Sequence, residues 1–174
     1  MTTLASLGLR ARDGREAEVT GLSVDSRTVK PGHLFAALPG STLHGGEFIP
    51  YALRMKAGSV LTDPKGAEIA KAELAAAGVP VVVVEEPRAA LAAAAALWFG
   101  RQPDVVVAVT GTSGKTSVAT FTRQIWQQLG FSAANLGTMG VLGDFSAPLQ
   151  HTTPEPVTLH RLLAEMAEAG ITHA

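Results

Sequence analysis

The stretch VVVAVTGTSGKTS, residues 105–117, decides the fold. Its first part is uncharged and β-branched, the pattern of a strand buried on both faces, so residues 105–109 are expected as a buried strand. Its second part sets two glycines, hydroxyl residues and a lysine before a helical run over 115–129 that Gly130 closes. Strand, glycine-bearing turn and helix in that order make the context of a phosphate-binding loop. Gly111 and Gly114 let backbone N–H groups turn toward an anion, and the first helical turn adds unpaired N–H groups and positive dipole. Lys115 supplies a charge for the β- and γ-phosphates and is the candidate catalytic residue, while the Thr116 hydroxyl can ligate Mg²⁺. The generic pattern places a glycine at position 109, where this chain has Val109. The alternative is a glycine-rich strand-to-helix turn with an exposed lysine.

Upstream, strand-like and helix-like segments alternate. Residues 19–24 and 33–38 read as strands, 48–57 as a helix stopped by Gly58, and 59–61 as a short strand. Residues 64–77 read as one helix with Ile69 and Leu74 on its apolar side and Gly78 as the stop. VPVVVVEE, residues 79–86, is a second β-branched run, and residues 89–99 form an alanine-rich helix closed by Gly100. Gly, Pro and polar residues cluster in GRQPD, residues 100–104, the best domain boundary, which divides the chain into 1–101 and 102–174. Downstream, 131–136 is expected as a strand and 153–169 as a helix. In the latter Thr153 caps, Pro154 fits the first turn, Glu155 suits the positive end, and Leu159, Leu162, Leu163 and Met166 form the stripe. ITHA, residues 171–174, opens a further strand. The alternation predicts an α/β protein with a mainly parallel sheet, and the stop three residues into a strand suggests a truncated second domain.

Composition bounds the chemistry. The chain has 174 residues, 47% hydrophobic and 17% charged, with a net charge of −1. Disorder is not expected, and no basic excess points to nucleic acid. With no cysteine, thiolate metal sites and cysteine nucleophiles are excluded. The five histidines show no metal spacing, and Trp98 and Trp126 read as core residues. The longest uncharged apolar run, residues 89–99, is half of the ~20 residues a membrane span needs. With no signal peptide pattern at the start, a cytoplasmic protein is expected. A phosphate-loop enzyme also needs a metal-holding carboxylate, often at a strand end. Asp144, Glu155, Glu165 and Glu168 are the acids after Ser117, and none ends a predicted strand. The strand opening at Ile171 is where one is expected.

Five segments in order carry a family resemblance: VDSRTVKPGHLFAALPG (24–40), GGEFIPYALRMKAG (45–58), TGTSGKTS (110–117), GTMG (137–140) and HTTPEP (151–156). Together they resemble the Mur ligases of peptidoglycan synthesis, most of all the branch that adds the third amino acid. The resemblance implies a three-domain ligase with an N-terminal domain for the uridine nucleotide, a central ATP domain and a C-terminal amino-acid domain. This chain would hold the first, at 1–101, and the opening of the second, at 102–174. Val24, Ser26, Ser41, Thr42 and Leu43 would contact the uridine-diphosphate end of UDP-MurNAc-L-Ala-D-Glu. Thr152 and Thr153 would contact its sugar-peptide part, and Gly111, Thr112, Ser113, Gly114, Lys115, Thr116 and Ser117 would hold ATP with Mg²⁺. The partners implied are small molecules, this substrate and a diamino acid (meso-diaminopimelate or lysine), acting on a monomer. His33 and His44 stand where the family commonly has Asp, and read as turn variants.

Each assignment has a plainer alternative. Ser26 could satisfy a turn after Asp25. Ser41 and Thr42 could be ordinary loop residues, Thr153 a helix cap, and Arg27 a partner for Asp25 rather than for phosphate. Two rival readings of the whole chain are a fragment of the ligase that adds D-Ala-D-Ala and a non-catalytic nucleotide-binding module.

Overall fold

Four short parallel strands in sequential order organise the first half of the chain: β1 (Leu22–Ser23), β2 (Leu34–Ala37), β3 (Ser59–Thr62) and β4 (Val81–Val83). The computed structural model describes residues 1–149 and 154–174. It divides into two compact units, Met1–Trp98 and Phe99–Ala174.

In the first unit Leu34 pairs with Ser59, Phe35 with Val60 and Leu61 with Val82. Every residue of β2 and β3 is buried. Parallel strands need crossovers: α1 (Ile49–Arg54) lies between β2 and β3, α2 (Pro64–Ile69) and α3 (Lys71–Ala77) lie between β3 and β4, and α4 (Pro87–Phe99) follows β4. Ile49 and Ala52 of α1 and Leu74 of α3 join Phe35, Ala37 and Val60 in one core. The continuous helix expected over 64–77 is two helices. The backbone leaves helical geometry at Ala70, which is buried together with Leu74, so Ile69 is 42% exposed rather than beside Leu74. Residues ahead of β1, which carry no strong periodicity, also enter the core. Leu4 caps and Leu7 ends a short 3-10 turn (Ala5–Leu7), both are buried, and Thr3 bridges to Glu18.

In the second unit α5 (Lys115–Gln128) follows the glycine loop. Strands β5 (Ala134–Gly137) and β6 (Gly140–Gly143) form an antiparallel hairpin across Thr138 and Met139. This hairpin is absent from the sequence expectation, because a two-residue turn between glycines interrupts any apolar run long enough to read. Helix α6 (Pro156–Glu168) buries Leu162, Leu163 and Met166 against Ala134 and Val141. Glu155 caps α6 by accepting from the Val157 and Thr158 amides, and Pro156 takes the first turn. The start therefore falls two to three residues later than the expected Thr153–Pro154–Glu155 signal, because the longer carboxylate reaches both orphan amides itself.

Residues 171–174 do extend into a ladder. The Val105 and Val107 amides donate to the Thr172 and Ala174 carbonyls at 3.0 and 2.9 Å, and the Ala134 amide donates to His173 at 3.0 Å. His173 bridges in parallel to both Val105 and Ala133. Its ring lies 4.3 Å from that of Phe131 and 5.0 Å from that of Trp126. The expectation that 105–109 is buried is overturned. Val105, Val106 and Val107 are all exposed: ladder bonds tie the backbone to 172–174, while Val106 and Val107 line an open cleft together with residues of α5 and α6.

Candidate functional site

Each unit carries a cleft of its own. In the first unit a cleft of about 650 Å³ is lined by Val24, Asp25, Ser26, Arg27, Leu43 and Tyr51, with Phe35 at its floor. The chain leaves β1 and turns through a 3-10 turn (Ser26–Thr28). Asp25 caps that turn by accepting from the Arg27 amide at 2.9 Å, and its carboxylate takes the Arg27 guanidinium through both oxygens. The Arg27 hydrogen bonds hold the Asp25 carboxyl below the usual carboxylate range, and Asp25 in turn raises the guanidinium. Arg27 thus pairs with Asp25 here, with its side chain 87% exposed at the cleft wall. Phe48 and Tyr51 also line the cleft, both exposed, with the Arg54 guanidinium 4.3 Å over the Tyr51 ring. An apolar, aromatic-walled cleft with one guanidinium and one serine hydroxyl suits a flat heterocycle linked to an anion.

Of the residues assigned from sequence to the uridine nucleotide, Val24, Ser26 and Leu43 line this cleft. Ser41 and Thr42 do not line it. They are exposed in the loop that leads into it, closed at its base by the Pro39–His44 bridge and the Gly45 amide donating to Leu38. Thr152 and Thr153 lie outside the described residues. Arg27, open in the sequence between Asp25 and phosphate, lines the cleft paired with Asp25, and Tyr51 and Phe48 line it without having been assigned there from sequence. The signal available was FIPYALR, an aromatic pair three residues apart on a helix following a glycine pair.

In the second unit a cleft of about 350 Å³ is lined by Val109, Lys115, Thr116, Ala119, Asn135 and Thr138 among others. Gly111, Thr112, Ser113, Gly114, Lys115, Thr116 and Ser117 form one exposed turn into α5. Gly111 and Gly114 have φ of 148° and 78°, a region side chains disfavour, which accounts for glycine at both. Gly114 offers α5 no side-chain cap, so the first N–H groups of a 14-residue helix face the loop. The Lys115 ammonium donates to the Gly111 carbonyl across the turn. Asp144 accepts from Gln127 and from the Ala133 amide, and Glu155 is committed to its cap. Among the described residues there is no group of three or more His, Asp or Glu that could hold a metal. For a phosphate-bound Mg²⁺ the fit is nonetheless adequate, since that ion keeps several waters and accepts few protein ligands, with Thr116 the one at hand.

Comparison with known proteins bears on both units. Residues 18–99 match the Mur ligase family catalytic domain, and residues 109–174 match the Mur ligase middle domain. The chain belongs to the Mur ligase family. It is 52% identical over 160 residues to the UDP-N-acetylmuramoyl-L-alanyl-D-glutamate–2,6-diaminopimelate ligase of Brucella melitensis, across 91% of this chain and 32% of that one. The ligase of the same name from Streptomyces coelicolor is 43% identical, across 94% of this chain and 32% of the relative. A solved structure of a ligase of that name superimposes with a TM-score of 0.68 at 26% identity, over 90% of this chain and 31% of the other. This Mur ligase chain thus spans about a third of the length of the curated relatives it matches. No helix among the described residues is long and apolar enough to cross a membrane.

Proposed function

We propose that this chain carries the uridine-nucleotide-binding domain and the opening of the ATP-binding domain of a ligase. That ligase adds meso-diaminopimelate to UDP-MurNAc-L-Ala-D-Glu. The observation that carries the reading is the 52% identity, over nine-tenths of the chain, to a relative named for that reaction. The two clefts support it chemically, one suited to a nucleoside diphosphate and one to a triphosphate.

A carboxylate is a poor acyl donor, so the reaction proceeds through a mixed anhydride. A carboxylate oxygen of the D-glutamyl side chain attacks the γ-phosphorus of ATP, the bond to ADP breaks, and an acyl phosphate forms. The amine of the incoming amino acid then attacks the acyl carbon, the carbon–oxygen bond breaks, inorganic phosphate leaves, and the amine loses a proton. Two anions must meet in the first step. Lys115 leaves the Gly111 carbonyl for the β- and γ-phosphates, and the α5 N–H groups screen the remaining charge. Thr116 would hold Mg²⁺, which would supply further charge neutralisation at the phosphates. At the first unit's cleft Val24, Ser26 and Leu43 hold the uridine-diphosphate end, with Ser41 and Thr42 in the adjoining loop. Thr152 and Thr153 are assigned to the sugar-peptide part from the family resemblance.

The test is calorimetric titration with UDP-MurNAc-L-Ala-D-Glu, with UMP and CMP as base controls. Uridine-selective binding is expected, and Ser26→Ala weakens it about fivefold, the net value of one hydrogen bond, without changing Mg-ATP affinity. Equal affinity for UMP and CMP, or no binding by the folded chain, would overturn the reading.

A further inference from the structure

His44 sits between two residues of the first cleft, Leu43 and Gly45, yet its own side chain turns inward and is 8% exposed. Its Nδ1 accepts the Gly46 amide at 2.9 Å. The neutral ring therefore carries its proton on Nε2, which donates to the Asp63 carboxylate at 3.1 Å. Asp63 in turn caps α2, accepting the Gly66 amide at 2.7 Å. Burial alone would raise the Asp63 carboxyl, but the Gly66 amide and the His44 ring outweigh it and the group lies below the usual range. Gly66 packs closely on the ring, since a Cβ there would stand 2.8 Å from His44 Cε1. Both ring nitrogens are thus committed, one to the Gly46 amide and one to the carboxylate that caps α2.

The loop ahead of His44 has no such anchor. Ser41, Thr42 and Leu43 are all exposed, and the backbone tie of the Gly45 amide to Leu38 lies at the loop's base. We propose that His44 is a positioning residue for the uridine ligand: its ring fastens the loop of Ser41, Thr42 and Leu43 to the carboxylate that caps α2. This rests on the proposed use of the cleft. A binding loop held in place before the ligand arrives saves the entropy of ordering it on binding.

Two near-isosteric changes cut the tie at opposite ends. His44→Asn keeps an acceptor for the Gly46 amide but does not reach Asp63. Asp63→Asn keeps the α2 cap but turns an N–H donor toward a ring whose Nε2 also donates. Titration of UDP-MurNAc-L-Ala-D-Glu and Mg-ATP into each variant and the double variant separates positioning from folding. Each single change weakens the uridine ligand about tenfold, leaves Mg-ATP affinity unchanged, and keeps the melting temperature within about 4 °C. The double variant is no weaker than the worse single, because one tie is lost only once. Tyr51 is the sole tyrosine and lines the cleft, so its ring resonances shift in all three variants. Unchanged uridine affinity in the variants, additive losses, or an equal loss of Mg-ATP overturns the role of His44 while leaving the cleft's assignment intact. A wild-type chain that binds no uridine ligand overturns both.

Discussion

The two halves of this chain use the same residues to opposite effect. In the first unit Val60 and Leu61 of β3 are fully buried, with β2 and β4 on either side and α1 and α3 contributing to the same core. In the second unit Val105, Val106 and Val107 enter a parallel ladder as well but stay exposed. Helix α5 repeats the contrast, exposing Val118, Phe121, Ile125 and Leu129, a stripe at helical spacing that a core helix would bury. Residue type alone therefore sets neither: of 105–109 only Val105 forms a bridge, and burial follows from what packs on each face.

The sharpest way to break that comparison is to remove a ring from each half. Phe35→Ala is expected to cost about 3–5 kcal/mol, whereas Phe121→Ala stays within about 0.5 kcal/mol. Denaturant unfolding with hydrogen exchange resolved by unit reads both. A comparable cost at Phe121 would mean that its side chain is covered in solution. Next in size, Lys115→Ala is expected to weaken Mg-ATP about a hundredfold, the value of a charge-assisted contact, without altering unfolding of the first unit. Retained nucleotide affinity in calorimetry would remove Lys115 from its assigned role. The smallest effect concerns Asp25, whose carboxyl the Arg27 pair lowers. A lowered carboxyl stabilises the fold above its unfolded pKa, and that contribution fades as pH falls below about 4. The pair is solvent-exposed, so no more than about 0.5 kcal/mol is involved. Asp25→Asn should flatten the acid limb of a stability-against-pH curve by that amount. A larger change would place Asp25 in a deeper network.

What was legible in the sequence follows local chemistry. The loop from Gly111 to Ser117 could be read because its glycines, lysine and following helix act within a few residues of one another. The α6 stripe of Leu162, Leu163 and Met166 could be read from periodicity alone. The cleft of the first unit was only half visible. DSR announces a capped turn, but Tyr51 reaches the same cavity from a helix after the next strand, and no spacing rule connects them. His44 looked like a turn variant, which it is through Gly46. Its bond to Asp63 depends on the loop and α2 meeting in space. The break at Ala70 and the hairpin of β5 and β6 were missed because neither carries a proline or a long polar interval.

The ladder of the second unit has a consequence for how the protein is made. The segment containing Thr172, His173 and Ala174 joins residues near Val105 to those near Ala133, so the piece in the middle is synthesised after both of its neighbours. During translation the valines near 105 and the β5–β6 hairpin must wait, unjoined, for the ribosome to deliver it. The first unit, whose strands pair in the order they emerge, faces no such delay. The exposed apolar residues of the second unit thus coincide with the part of the chain whose ladder is joined out of chain order, where chaperone protection has the most to act upon.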